Sequence, residues 1–144
     1  MRVLVQRSNA ASVMVDGKIY SKISNGLVLL VGFTEGDNID TIKYMVKKII
    51  NLRIFPDDND IMNKNVLDCN GEILSVSQFT LYANTKKGNR PSYIEALKSD
   101  KAEVLFDEFN NELKKYIEVK TGKFGADMEV SITNVGPTTI WLER

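Results

Sequence analysis

The sequence predicts an α+β fold: a mostly antiparallel sheet, curved or barrel-like, with packed helices. Three observations carry this prediction. The first third of the chain consists of short, valine-rich apolar runs punctuated by Asp16-Gly17 and Asn25-Gly26, pairs whose residues accept the positive φ of a two-residue hairpin turn. Two later stretches, residues 38–51 and 100–119, repeat apolar side chains at spacings of three and four, as one buried helix face requires. Near the end, two β-like runs, residues 128–133 and 138–142, flank a Gly-Pro pair.

Taken in order, residues 1–7 and 11–15 predict strands, and Asp16-Gly17 turns the chain into an alternating run at 18–24. After Asn25-Gly26 the unbroken apolar run 27–33 suits a buried strand, and such short connections imply an antiparallel meander. Asp37 is placed as an N-cap, with Asp40 adding negative charge to the first turn. Ile39, Ile42, Met45, Val46, Ile49 and Ile50 form the inner face of that helix. Pro56 and Asp57-Asp58-Asn59-Asp60 predict a loop. Residues 72–78 predict a strand that ends on small polar side chains. A second helix is expected to start at Pro91 or Ser92. A longer one follows over 100–119, with Val104, Leu105, Phe109, Leu113, Tyr116 and Ile117 turned inward. Gly122 and Gly125 break the chain before the last strands. With no internal repeat, low-complexity tract or linker, residues 1–144 read as a single domain.

Composition narrows the function classes. Apolar residues make up 43% and charged residues 26%, ordinary for a soluble globular protein. Nineteen basic residues balance nineteen acidic ones, which disfavours extensive duplex binding and leads to an expectation of no DNA partner. A local basic patch, Lys86, Lys87 and Arg90 around Gly88, remains for RNA, or is simply a solvated turn. The lone Cys69 cannot form an internal disulfide, no apolar run approaches the ~20 residues of a bilayer span, and residues 1–7 alternate like a strand. A cytoplasmic protein without membrane contact is expected.

The chain has no histidine, so its chemistry must proceed without an imidazole. An EF-hand loop from Asp58 would need glycine and glutamate where Asn63 and Cys69 stand, and for zinc one cysteine and no histidine leave only carboxylates. Gly122-Lys123 fails as a P-loop, with Ile117 in place of glycine and Phe124 in place of Ser or Thr; no Gly-x-Gly-x-x-Gly occurs. No metal and no cofactor are therefore expected, and activity should survive exhaustive chelation. Ser77-Gln78-Phe79-Thr80 combines small polar groups with an aromatic at a strand end. Thr80 lacks the base a nucleophilic hydroxyl needs. Its hydroxyl either bonds a neighbouring backbone group, or the segment offers backbone N–H groups to an oxyanion. Phe79 either stacks on a base or fills the core. Gly136-Pro137 is either a turn or a cis X-Pro bond; both are rigid, and carbonyls aimed into a pocket can exclude a substrate group.

Several motifs in order, spread over the whole chain, resemble the D-aminoacyl-tRNA deacylases (formerly D-tyrosyl-tRNA deacylases). They are Met1-Arg2-Val3-Leu4-Val5-Gln6-Arg7, Val15-Asp16-Gly17, Asn51-Leu52-Arg53-Ile54-Phe55 and Ser75-Val76-Ser77-Gln78-Phe79-Thr80-Leu81-Tyr82. Lys87-Gly88-Asn89-Arg90-Pro91-Ser92, Thr121-Gly122-Lys123-Phe124-Gly125-Ala126-Asp127-Met128 and Asn134-Val135-Gly136-Pro137-Thr138-Thr139 complete the set. The resemblance implies that family's fold and a homodimeric proofreading enzyme that hydrolyses the ester of a D-amino acid, or of glycine mischarged on tRNA(Ala), at the 3′ end of tRNA. It implies that Ser77, Gln78, Phe79 and Thr80 line the active site. It also implies that Gly136 and Pro137 form a Gly-cis-Pro motif that enters the partner subunit's pocket and rejects L-aminoacyl groups, with Arg7 helping to hold it. Val135 and Thr138 depart from the family pattern, where aspartate and valine often stand. The tRNA ligands Lys86, Lys87 and Arg90 rest on charge alone. The alternatives, a silent tRNA-binding module or a plain dimeric structural protein, are separated from the enzyme by release of free D-amino acid from charged tRNA.

Overall fold

The computed structural model describes all of residues 1–144. A long strand, β1 (Arg2–Val15), is the spine of the molecule. The sequence divides it into two strands, but the backbone runs through Ser8, Asn9 and Ala10 without a break. One edge of β1 is covered twice: residues 11–15 pair with β2 (Lys18–Ile23), and residues 2–8 pair with β3 (Gly26–Gly32), both antiparallel. Asp16 and Gly17 take φ of 51° and 71°, the hairpin turn the dipeptide predicts.

Asn25-Gly26 behaves differently. β2 and β3 do not pair with each other, so the expected meander is not formed. Gly26, at φ 139°, is required instead by a close approach: a Cβ there would stand 1.9 Å from Glu72 O. That approach lets β6 (Glu72–Ser77) pair parallel to β3, and β7 (Val119–Thr121) pair parallel to β6. The Ser21 hydroxyl donates to Thr121 O at 2.8 Å, tying β2 to β7 and nearly closing the sheet into a barrel. β8 (Glu129–Glu143) pairs antiparallel with the other edge of β1 and has no further partner. It replaces the two strands expected around Gly136-Pro137. β4 (Phe55–Pro56) and β5 (Met62–Lys64) form a small ribbon about the acidic loop.

α1 (Ile39–Ile50) is capped by Asn38, whose side chain accepts from the N–H groups of Asp40 and Thr41. The expected cap, Asp37, is occupied elsewhere. It receives the Met1 ammonium at 2.7 Å and the Thr34 N–H at 2.8 Å. Ile39, expected inside, is 41% exposed because it precedes the buried face Ile42, Met45, Val46 and Ile49. α2 (Ser99–Leu113) buries Ala102, Phe106, Phe109 and Leu113, a stripe rotated from the predicted one, so Val104 and Tyr116 are exposed. It ends six residues early because residues 119–121 are taken up by pairing with β6, which outweighs local helix propensity. No helix starts at Pro91 or Ser92; Ser92 pairs with Asn84 in an isolated bridge. The main core joins both helices to one face of the sheet, and a second cluster around Val13, Val28, Leu74 and Val76 fills the barrel. No helix is long and apolar enough to cross a membrane.

Candidate active site

β6 is flanked by β3 and β7 and buried at Ile73, Leu74, Ser75 and Val76, which fixes where its C-terminal end emerges. There Gln78 still donates its N–H to Val31 O at 2.7 Å before the chain enters a 3₁₀ turn, Phe79–Tyr82. Gly32 permits this path, since a Cβ on it would lie 2.9 Å from Gln78 O. Phe79 and Thr80 open the turn, so their N–H groups have no acceptor one turn back, and no side chain caps them. The turn is braced from below. Arg2 Nη1 donates to Leu81 O at 3.0 Å, its guanidinium lies 4.3 Å from the Tyr82 ring centroid, and its Nε donates to Glu143 at 2.8 Å. The hydrogen bond from Arg2 holds the Glu143 carboxyl below the usual carboxylate range, and burial pushes the Tyr82 phenol well above its ordinary value.

Ser77, Gln78 and Phe79 line a cleft of about 570 Å³, walled also by Tyr93, Leu97, Phe124, Ala126, Asp127 and Met128. Phe79 is 56% exposed and meets Tyr93 edge-on with ring centroids 5.1 Å apart, so it is a lip of the cleft rather than core. Thr80 does not line the cleft; its hydroxyl accepts a hydrogen bond from the Gln78 side-chain amide. Tyr93 adds a wall that no sequence motif marks, and the motif 121–128 adds another, to which the sequence assigns no role at the site. Tyr93 lies in a stretch whose Pro91-Ser92 start predicts a helix. The usable signal was aromatics set among small residues on loops.

Arg7, Gly136 and Pro137 meet at a second place, on the β1–β8 ladder. Pairing stops at Ser8↔Asn134 and resumes at Gln6↔Thr139, so Arg7 alone faces residues 135–138 and the longer strand bulges. The Gly136–Pro137 bond is cis. Arg7 is 8% exposed and has no carboxylate partner. Its Nη1 donates to Ile54 O at 2.7 Å and its Nη2 to Gly136 O at 3.2 Å. With its amide oriented to donate, Asn134 spans Arg7 O and Thr138 O at 3.2 Å each. Gly136 and Pro137 are exposed and absent from the walls of their own chain's cleft. Lys86, Lys87 and Arg90 are exposed on the loop between the 3₁₀ turn and Tyr93, in none of the chain's ion pairs and not among the residues that line the cleft.

The arrangement offers uncapped backbone donors, an apolar cleft and an aromatic lip. No group of three or more Asp, Glu or Cys side chains is placed to hold a metal.

The family model for D-Tyr-tRNA(Tyr) deacylase matches residues 4–143. A D-aminoacyl-tRNA deacylase of Lactobacillus gasseri is 54% identical over 144 residues, covering 99% of each chain. Among solved structures, a c-Myc DNA unwinding element binding protein superposes with a TM-score of 0.95 at 42% identity, covering 100% of this chain and 99% of its own. A structure described as a probable eukaryotic D-amino acid tRNA deacylase superposes with a TM-score of 0.83 at 17% identity, covering 98% and 97%, which speaks for the fold alone.

Proposed function

This chain belongs to the D-Tyr-tRNA(Tyr) deacylase family, and from that premise we propose how its residues divide the work. It is a D-aminoacyl-tRNA deacylase, a hydrolase of aminoacyl-tRNA esters. In the proposed reaction a water, oriented by the 2′-hydroxyl of the terminal adenosine, attacks the ester carbonyl carbon and gives up a proton. The N–H groups of Phe79 and Thr80 stabilise the tetrahedral oxyanion. The bond to the 3′-oxygen then breaks, that oxygen takes a proton, and free amino acid and tRNA leave. The observation that carries this reading is the uncapped Phe79 donor at the lip of the cleft, with the uncapped Thr80 donor next in the turn, in a chain with no imidazole. Phe79, exposed beside Tyr93, suits stacking on the terminal base, and Lys86, Lys87 and Arg90 suit its neighbouring phosphates.

Chiral selection is assigned to Gly136 and Pro137. D- and L-aminoacyl groups differ only in where side chain and α-hydrogen point, so one rigid wall suffices to reject every L-side chain. Glycine has nothing to clash, which makes glycyl-tRNA(Ala) a substrate. The wall does not border its own chain's cleft, and β8 leaves a 15-residue edge unpaired. Both features support an isologous homodimer in which each bulge completes the partner's site.

The test is hydrolysis of D-tyrosyl-, L-tyrosyl- and glycyl-tRNA by purified protein under excess chelator. Release of D-tyrosine and glycine with L-tyrosyl-tRNA intact is expected. Equal cleavage of both enantiomers would remove the chiral wall, and dependence on added metal would remove backbone catalysis.

A further inference from the structure

A basic pocket on the outer face of α1 is used by nothing described so far. Tyr44, Lys47, Lys48 and Asn51 recur at i, i+3, i+4 and i+7 and, with Leu52 and Arg53, line a depression of about 560 Å³. Attraction to the carboxyl end of the helix explains two lysines in its last turn. It does not explain the third cation, which lies beyond the helix. Arg53 Nε donates to Asn63 O at 2.9 Å, which fixes the guanidinium and leaves its two terminal nitrogens without a protein partner. Lys47, Lys48 and Arg53 are all exposed, and the chain's six ion pairs employ none of them. Three unpaired cations around a concavity, on a chain of zero net charge, form a local anion seat.

Its position gives the anion an identity. Ile54, the residue after Arg53, accepts through its carbonyl from Arg7 Nη1, and Arg7 Nη2 donates to Gly136 O. The basic pocket and the Gly136–Pro137 bulge therefore hang on one guanidinium. We propose that the pocket of Tyr44, Lys47, Lys48 and Arg53 seats the phosphodiester backbone of the substrate tRNA as its 3′ end enters the cleft. The inference rests on the functional reading above. In the dimer proposed there, this pocket flanks each composite site from the subunit that supplies the bulge, while Lys86, Lys87 and Arg90 flank it from the subunit that supplies the cleft. Backbone phosphates are matched by charge and carry no sequence information, so the contact serves any D-aminoacyl-tRNA.

The experiment compares Lys47→Ala/Lys48→Ala and, separately, Arg53→Gln with the unaltered protein on two substrates: whole D-tyrosyl-tRNA and the D-tyrosyl ester of a short CCA oligonucleotide. On whole tRNA the double variant should raise KM several-fold. It should also flatten the slope of log(kcat/KM) against log[salt] by about two, one per lost phosphate contact. On the short ester it should match the unaltered protein, which also shows that it folds. Unchanged KM and salt slope on whole tRNA overturn the proposal. So does an equal loss on both substrates, or weakened duplex DNA binding with tRNA hydrolysis intact, which would assign the pocket to DNA. If the unaltered protein cleaves neither ester, the deacylase reading itself has failed, a result distinct from any behaviour of the variants.

Discussion

The end of β6 and the middle of β8 both leave the ladder at small residues, yet they expose opposite halves of the peptide group. At Phe79 and Thr80 the strand winds into a 3₁₀ turn and leaves N–H donors open. At residues 135–138 the strand bulges, and the carbonyl of Gly136 is held by a buried guanidinium. Donors suit a negative charge that develops during reaction; a held carbonyl and a proline ring suit exclusion. β6 gains its rigidity from neighbours on both edges, whereas β8 has β1 on one side and nothing on the other. The first region is complete within one chain. The second is held by Arg7 but lines no part of its own chain's cleft, the feature on which the proposed dimer rests.

The largest effect should come from removing one donor. Gln78 lies outside the helical region that a following proline disfavours, at φ −147° and ψ 79°, and proline is tolerated as the first residue of a helical turn, so Phe79→Pro can keep the path while deleting the N–H. Measured against Phe79→Ala, which loses the ring alone, it should lower kcat by about 10²–10³. Equal rates for the two variants would show that this donor does not meet the oxyanion.

A smaller effect, on selectivity rather than rate, is expected at the other region. Arg7→Ala releases the Gly136 and Ile54 carbonyls from a charged donor whose hydrogen bonds are worth about 1.5–3 kcal/mol. The D-over-L ratio of kcat/KM should fall by about one to two orders of magnitude, while cleavage of the D-ester changes little. Stability should move less than a buried arginine suggests, because Arg7 has no carboxylate partner and its removal also relieves desolvation of an unpaired charge. Arg7→Lys, a single point donor, can satisfy one carbonyl and not both, so it should restore only part of the ratio. An unaltered ratio in Arg7→Ala would detach the guanidinium from chiral selection.

Local signals in the sequence read well and distant ones did not. Asp16-Gly17 makes the turn its dipeptide predicts, and the α1 stripe from Ile42 to Ile49 is buried as its spacing requires. Asn25-Gly26 carries the same turn signal, but its glycine answers to Glu72, 46 positions away, which no local pattern displays. Asp37 loses the helix cap to Asn38 because it pairs with the Met1 ammonium, again a distant partner. Val119, the last residue of the predicted helix, instead opens β7 on the edge of β6. At the site, Ser77 and Gln78 were legible as a polar strand end. Tyr93 was not, and Phe124 was legible as part of a motif but not as a wall of the cleft, because loops converge there without any periodicity to mark them.

The smallest effect separates the hydroxyl of the 3₁₀ turn from its backbone donors. The Thr80 hydroxyl accepts from the Gln78 amide and does not line the cleft, so its visible role is to fix one side chain of the turn. A hydrogen bond between neutral groups is worth about 0.5–1.5 kcal/mol net, so Thr80→Ala should cost at most about tenfold in rate if the hydroxyl only orients. The N–H of residue 80 is untouched by that substitution, and with it the proposed oxyanion contact. A nucleophilic Thr80 makes the opposite demand: without its oxygen no acyl-enzyme can form, and activity should fall to background. Single-turnover hydrolysis by Thr80→Ala, with mass spectrometry of the unaltered protein quenched during turnover, decides between them. A D-aminoacyl adduct on Thr80, together with loss of activity in the variant, would make the hydroxyl the nucleophile and reduce the backbone donors to supporting it.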